Sequence, residues 1–335
     1  MQPDLTFFCE LEPAPLQNLF SSPALLEIVQ QLQATVSLGI MDFSAERCEV
    51  VQILNKANIP VTAWLLLPKE QGYWFNLDNH SAANARYLEF RRWTEQNNLK
   101  WKAVGLDIEP DLRQLEQLPR NPAAGLRTML MNALNGQRQR VGQMAYQALI
   151  AQMRSDGFFV ESYQFPVICD ERKAGSTFLQ RMTGVIDLPV EREVLMLYTS
   201  FIRGYGPGLL WSYAGEARAV GIGSTGGGVE LAEVVDTRPL AWDEFQRDLL
   251  IASKFCRNIY IFSLEGCFRQ EFLTPLMEFD WNAPVVEPVR LGLRVNSYRK
   301  IGQMALWSTA HPWFILSSAM VLYFLVKQLK KKPKK

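Results

Sequence analysis

Apolar and polar positions follow one another along most of the chain in a pattern that predicts repeated strand–helix units. Segments with apolar residues at helical spacing fill nearly every gap between short runs rich in β-branched and aromatic residues. Eight runs have the character of strands: 5–11, 35–42, 59–67, 102–109, 157–164, 193–200, 217–223 and 258–264. Because parallel strands need crossover helices, eight such units predict an α/β fold, a (β/α)8 TIM barrel.

A doubly wound open sheet is the alternative fold for the same order of elements. Such a sheet usually carries a glycine-rich phosphate-binding turn after its first strand, and none follows residues 5–11 here. The one glycine-rich run, 221–228, lacks the Lys-Ser/Thr pair of a phosphate-binding loop. The pattern therefore favours the closed barrel.

The last part of the chain has a different pattern. From Ala305 to Val326 it carries no acidic or basic side chain apart from His311, and a lysine-rich tail follows. A run of that length can span a bilayer at ~1.5 Å per residue. The expected organisation is a barrel domain over 1–267, an irregular extension over 268–304, a C-terminal transmembrane helix over 305–326 and a basic tail over 327–335.

The side of the membrane on which the barrel lies is open to two opposing arguments. Lysines after the apolar run favour a cytoplasmic C-terminus and an external barrel. An N-terminus without a signal-like segment favours a cytoplasmic barrel, as do five widely spaced cysteines with no CxxC pair. We expect a single-pass membrane protein with its main domain in the cytoplasm.

Charge and histidine content narrow the function classes. With 35 basic and 34 acidic residues, the net charge of +1 gives no general attraction to nucleic acid, so we expect no nucleic-acid partner. Two histidines, His80 and His311, are too few for the usual metal-dependent or imidazole-based hydrolases. We therefore expect no metal and no cofactor, and chemistry carried by carboxyl and tyrosine side chains.

The candidate chemistry lies at the C-terminal ends of the strands, where such barrels place their active sites. Asp107 and Glu109 follow a buried-looking strand and project to the same side. Two facing acids repel unless one is protonated or a cation such as Arg113 pairs with them structurally. Acids and aromatic residues at other strands predict the remaining walls of a substrate cleft: Glu10, Asp42, Trp64, Tyr163 and Glu265. Each of these could instead be a helix cap, an ion-pair partner or a barrel-filling side chain.

The segment "GLDIEP" resembles the strand-4 signature of chitinase-like glycoside hydrolases, an Asp-x-Asp-x-Glu pattern on a (β/α)8 barrel. Asp107 and Glu109 match the last two acids, and Gly105 stands at the place of the first. The resemblance implies that Glu109 is the proton donor and that Asp107 tunes its pKa. It further implies that the substrate's own N-acetyl group often serves as the nucleophile.

A second segment, "MLYTS", is similar to the Met-x-Tyr-Asp motif at strand 6 of the same family. Met196 and Tyr198 match, and Thr199 replaces the acid. By the resemblance, Tyr198 is a third catalytic residue that bonds near the anomeric carbon. The family usually has a tryptophan at strand 8, where this chain has "FSLEGC" with Glu265.

Two functions are thus expected from the sequence. The first is a membrane-anchored glycosidase that acts on a carbohydrate or glycoconjugate through Glu109 and Asp107. The alternative, suggested by Gly105 and Thr199, is a catalytically inactive barrel that binds a glycan or a protein at a membrane.

Overall fold

Eight parallel strands close into a barrel in this chain. A computed structural model describes residues 2–228 and 238–314, with positions 317, 320, 323 and 327. Each strand pairs with the next in chain order, and the eighth pairs with the first, from Asp4–Asn258 to Phe8–Phe262. The strands are β1 (Asp4–Cys9), β2 (Thr35–Ile40), β3 (Val61–Leu65), β4 (Ala103–Asp107), β5 (Val160–Gln164), β6 (Arg192–Met196), β7 (Ala219–Gly223) and β8 (Asn258–Phe262).

Helices connect the strands and surround the barrel. Those before β4 are α1 (Pro13–Phe20), α2 (Pro23–Gln31), α3 (Ala45–Lys56) and α4 (His80–Gln96). Those between β4 and β8 are α5 (Leu112–Gln117), α6 (Pro122–Leu134), α7 (Gly136–Ser155), α8 (Val167–Ala174), α9 (Phe178–Thr183), α10 (Gly206–Ala214) and α11 (Trp242–Ser253). After β8 come α12 (Leu264–Arg269), α13 (Leu273–Met277) and α14 (Val289–Ala310).

The barrel has two apolar layers because successive strand residues point to opposite faces. Outward-facing residues such as Phe7 and Leu38 pack beneath the helices in the larger core. Inward-facing aromatic residues fill the barrel itself: Phe8, Trp64, Tyr163 and Tyr260 are all at most 3% exposed. The interior is therefore a packed aromatic core, and open space begins only at the mouth.

The expected eight-strand barrel is confirmed, and closure between β8 and β1 rules out the open sheet. All eight predicted runs contain a strand, although most strands are shorter than the runs because apolar residues continue into the loops. The predicted run 193–200, for example, ends as a strand at Met196.

Residues 268–304 are more regular than the expected irregular extension. They contain α13 and most of α14, which packs along α8 and α10. Arg299 on α14 is buried, lies 2.8 Å from Asp170 and stacks over Tyr213 with its guanidinium carbon 3.6 Å from the ring centroid. A buried cation needs such partners, so α14 is held in one specific position on the barrel.

The structure corrects the prediction of a membrane helix. In the part of the chain that the structure describes, every helix is too short or too polar to cross a bilayer. Residues 305–310 belong to α14, which also carries the buried Arg299. Within 305–326, residues 315, 316, 318, 319, 321, 322 and 324–326 lie outside the described residues, as does the tail except for Lys327. The described residues therefore do not support the expected single-pass topology or the localisation derived from it.

Candidate active site

A small pocket opens at the C-terminal mouth of the barrel, above the aromatic interior. Its volume is about 80 Å³. Carboxyl groups and aromatic rings from six strands or the loops after them form its wall: Phe8, Glu10, Trp64, Trp74, Asp107, Glu109, Tyr163, Met196, Tyr198, Phe201 and Phe262. The predicted catalytic residues Glu109, Asp107 and Tyr198 thus share one pocket with the predicted substrate-binding residues Glu10, Trp64 and Tyr163.

Asp107 is the last residue of β4 and lies deepest among the acids, with 2% of its surface exposed. The indole Nε1 of Trp64 donates a hydrogen bond of 3.0 Å to its Oδ2. Its Oδ1 is buried and has no partner among the described residues. Burial and the neighbouring Glu109 raise the pKa of Asp107 well above its usual range. Asp107 thus lines the pocket with a carboxyl group, one oxygen of which has no partner among the described residues.

Glu109 is positioned by an extension of β4. Phe75 N donates to the carbonyl of Asp107 at 2.9 Å, and Glu109 N donates to the carbonyl of Phe75 at 3.3 Å. This short parallel pairing keeps the backbone extended, so that Glu109 keeps the face of Asp107. Burial and the charge of Glu10 raise the pKa of Glu109 to about 8. At neutral pH, Glu109 therefore carries a proton that it can donate.

Glu10 closes the acidic side of the pocket from the end of β1. Burial raises its pKa to about 8, although a hydrogen bond donated by the Tyr73 hydroxyl opposes that shift. Its backbone N donates to Oε1 of Glu265 at 3.3 Å. Glu265 thus bonds to the backbone at the end of β1 and is not among the residues that line the pocket.

Tyr198 follows β6 and faces the acids across the pocket. Burial and the charges of Asp107, Glu109 and Glu10 raise the pKa of its hydroxyl well above the usual value. The hydroxyl therefore stays protonated throughout the physiological range and acts as a hydrogen-bond donor.

Asp42 lies outside the pocket lining, contrary to its expected place in a substrate cleft. Its Oδ2 pairs with the buried Arg47 at 2.7 Å, and its Oδ1 accepts from Ser44 N at 2.9 Å. Partial burial raises the pKa of Asp42, but these bonds lower it by a larger amount, so the net shift is downward. Asp42 is an ion-pair and turn residue at the start of α3.

Five wall residues were not singled out as site residues from the sequence. They are Phe8, Trp74, Met196, Phe201 and Phe262. Three of them could have been found from the sequence. Phe8 lies two positions before Glu10 and Met196 two positions before Tyr198, so each pair points to the same face of its strand. Phe262 stands at the end of the last strand. Trp74 lies on a loop and Phe201 on a single 3-10 turn over Thr199–Ile202, and neither is long enough for a sequence period to fix a direction.

The two departures from the glycosidase motifs have clear structural causes. A Cβ placed on Gly105 would lie 2.2 Å from the Tyr163 hydroxyl, which bonds to Ser37 Oγ at 2.8 Å. The Thr199 hydroxyl donates to the buried Asp248 on α11, away from the pocket. Neither position offers an acid to the mouth of this barrel.

The chain was compared with families, curated proteins and solved structures. No family model matches it, and no curated protein does. Among solved structures, it is similar to the HMG-CoA lyase from Brucella melitensis, with 12% identity and a TM-score of 0.37. The match covers 89% of this chain and 99% of that chain. At this identity and score, the likeness assigns no activity to this chain.

These comparisons correct the expected family and activity. The resemblance to chitinase-like glycoside hydrolases is not supported, because no family model matches and neither Gly105 nor Thr199 supplies the acid that its motifs require. The expected membrane-anchored glycosidase and its inactive glycan-binding alternative are therefore withdrawn. The predicted carbohydrate partner is tested by none of these findings and stays a prediction from the sequence.

Within the described residues, no three His, Cys, Asp or Glu side chains are grouped so that they could hold a metal ion. The acids of the pocket are distributed around an aromatic wall instead.

The raised pKa of Glu109 predicts that replacing it with glutamine makes stability less dependent on pH. A carboxyl with a usual pKa of 4.5 that titrates at about 8 in the fold binds its proton more tightly when folded. Its contribution is present at pH 4.5 and lost as the pH rises to about 8. Between pH 5 and pH 9, the unfolding free energy of Glu109→Gln should fall by ~4 kcal/mol less than that of the native chain, as measured in urea.

The matched control is Glu116→Gln, which removes an exposed carboxyl from α5. Its unfolding free energy should follow the pH dependence of the native chain. An equal pH dependence for Glu109→Gln and Glu116→Gln would contradict the assignment of a buried, protonated Glu109.

Proposed function

We propose that this protein is an acid–base enzyme that moves protons on a small organic substrate held at the mouth of the barrel. Glu109 is its proton donor, and the carboxyl groups of Glu10 and Asp107 complete the site. The observation that carries the proposal is the placing of three carboxyls in one aromatic pocket, Glu10 and Asp107 buried and Glu109 half-buried, with a pKa of about 8 for Glu10 and for Glu109.

A pKa near the working pH is what general acid–base catalysis requires. A group that titrates at about 8 is mostly protonated at pH 7 and is a stronger acid than water, so it can donate its proton during a reaction. An ordinary exposed glutamate is ionised at that pH and has nothing to donate. The environment of Glu109 therefore keeps a proton donor available at neutral pH, at a cost in the free energy of unfolding.

Asp107 and Glu109 interact strongly enough to titrate as a pair. When one of them is ionised, its charge raises the pKa of the other, so that the two carboxyls lose their protons in successive steps. The ionised member can accept a proton from the substrate while its neighbour donates one. Such a pair supports a reaction in which a proton leaves one substrate atom and another arrives elsewhere, as in an isomerisation or an elimination.

Hydrogen-bond donors around the pair support the same chemistry. The indole of Trp64 stabilises the ionised form of Asp107, and Tyr198 supplies a neutral hydroxyl on the opposite wall. A developing negative charge on a substrate oxygen is stabilised by such fixed donors in a site from which most water is excluded.

The experiment is a screen for proton transfer in deuterated water. A panel of small ketones, aldehydes, hydroxy compounds and amines is incubated with the purified chain, and deuterium uptake or conversion is followed by NMR and mass spectrometry. We expect at least one compound to gain deuterium or to change in the presence of the native chain and not in the presence of Glu109→Gln. Equal behaviour of the two proteins over the whole panel would refute the proposal.

A further inference from the structure

The wall of the pocket at the barrel mouth also indicates the charge of the substrate. Resting on the proposed acid–base function, we propose that this pocket binds an organic ammonium group, the positively charged nitrogen of a small amine or quaternary ammonium compound. The three carboxyls and the surrounding aromatic rings together form its receptor.

The first argument is the sign of the ionisable groups. Glu10, Asp107 and Glu109 contribute carboxyls to the wall, and none of the described residues that line it is a lysine, arginine or histidine. Any ionised carboxyl in this pocket therefore has its negative charge uncompensated by the wall. A cationic ligand removes that cost, whereas an anionic ligand would increase it.

The second argument is the arrangement of the rings. Phe262 stands among three other wall rings, with its centroid 5.6 Å from that of Tyr198, 6.1 Å from Phe8 and 6.3 Å from Trp64. Phe201 extends this group, 5.5 Å from Tyr198. Adjacent aromatic rings around a compact cavity are the structural means by which proteins bind alkylammonium groups, through cation–π attraction.

The third argument is an unused acceptor. Asp107 lines the pocket, and its Oδ1 is buried and accepts no hydrogen bond from the described residues. A buried oxygen without a partner is costly unless a ligand satisfies it. An ammonium N–H, or the electrostatic field of a quaternary nitrogen, supplies that missing interaction.

The charged groups around the carboxyls determine how binding depends on pH. Glu265 and Asp107 raise the pKa of Glu10, whereas the Tyr73 hydroxyl and Lys69 lower it. Lys69 lies outside the lining, with Nζ 6.0 Å from the centroid of the Tyr73 ring. Glu109 is affected by Glu10 and by its coupling to Asp107. A cation in the pocket favours the ionised carboxyls, so its binding must release protons and must strengthen as the pH rises.

The experiment compares two molecules of nearly equal shape, choline and 3,3-dimethylbutan-1-ol, in which a carbon replaces the charged nitrogen. Their binding to the full chain is measured by calorimetry at pH 6 and pH 9, and at pH 7.5 in phosphate and in HEPES, whose ionisation enthalpies differ. We expect choline to bind at least tenfold more tightly than the alcohol at pH 9. We also expect its affinity to rise at least tenfold from pH 6 to pH 9 and about one proton to be released per choline at pH 7.5.

Two variants test which groups carry the selectivity. Phe262→Leu should reduce the preference for choline over the alcohol about 5- to 30-fold, because it replaces a ring by an aliphatic side chain. Glu116→Gln, on the exposed surface of α5, should leave it unchanged. Equal affinity for both molecules, no binding of choline, or binding without proton release would each overturn the proposal. Proton transfer to a neutral compound in the deuterium screen, together with any of these results, would leave the acid–base function standing and reject only the cation.

Discussion

Glu109→Gln is expected to lower the turnover of any substrate found in the deuterium screen by about 10²- to 10⁴-fold, the usual contribution of a positioned general acid. Glutamine has nearly the same shape as glutamic acid and fits the same extended backbone beside Phe75. What it lacks is the transferable proton. The loss should therefore fall on kcat, with KM changed much less.

The pH profile separates a lost proton donor from a disturbed fold. Because the donor must be protonated, the native rate should fall as the pH rises through about 8, the pKa to which burial raises Glu109. The residual rate of Glu109→Gln should lack that fall, because the group that titrates is gone. Glu116→Gln should retain both the native rate and the native profile. A residual profile that still falls near pH 8 would assign the proton donor to Glu10 instead.

The barrel could be predicted from the sequence because it depends on local periods. Each strand alternates between an outer face beneath the helices and an inner face toward the barrel axis, and each crossover has helical spacing. Alternation alone also predicts that Asp107 and Glu109 share one face. The same rule, applied to Phe8 and Met196, would have found two further wall residues.

The remaining site assignments depended on contacts between distant parts of the chain, which no local period reveals. Asp42 was separated from the pocket by its pairing with Arg47, a residue of the following helix α3. Glu265 was placed beneath Glu10 because α12 begins directly after the last strand. An acid at a strand end has the same local sequence whether it lines a pocket or supports a neighbouring backbone.

The C-terminal region shows the same limit of local pattern. An apolar run from Ala305 predicted a membrane helix, yet its first turns belong to α14 and pack on the barrel. The residue that fixes α14 is Arg299, whose main partner Asp170 lies 129 positions earlier in the chain. Hydropathy averages over a window and does not register one ion pair of this kind.

Gly105→Asp, which would restore the third acid of the strand-4 motif, is expected to destabilise the chain by about 4 kcal/mol or more. A Cβ on residue 105 would lie 2.2 Å from the hydroxyl oxygen of Tyr163 and 2.7 Å from the ring carbon that bears it. Real Cβ atoms do not approach other heavy atoms so closely, so either β4 or the tyrosine must move.

Tyr163 has little room to move. Its ring packs edge-on against Phe8 with centroids 4.8 Å apart, and its hydroxyl is bonded to Ser37 across the barrel. The new carboxyl would also be buried at a position whose backbone neighbours are already paired within the sheet. Overpacking and the burial of an unpaired charge therefore add to each other.

Unfolding in urea provides the measurement, and Gly302→Ala provides the matched control. Gly302 lies within α14, and a Cβ placed there meets nothing within 4 Å, so alanine should leave stability unchanged or raise it by up to ~1 kcal/mol. A soluble Gly105→Asp chain with the native urea midpoint would show that the barrel can accept the acid. The expected loss of stability would show instead that Tyr163 occupies the place of that acid.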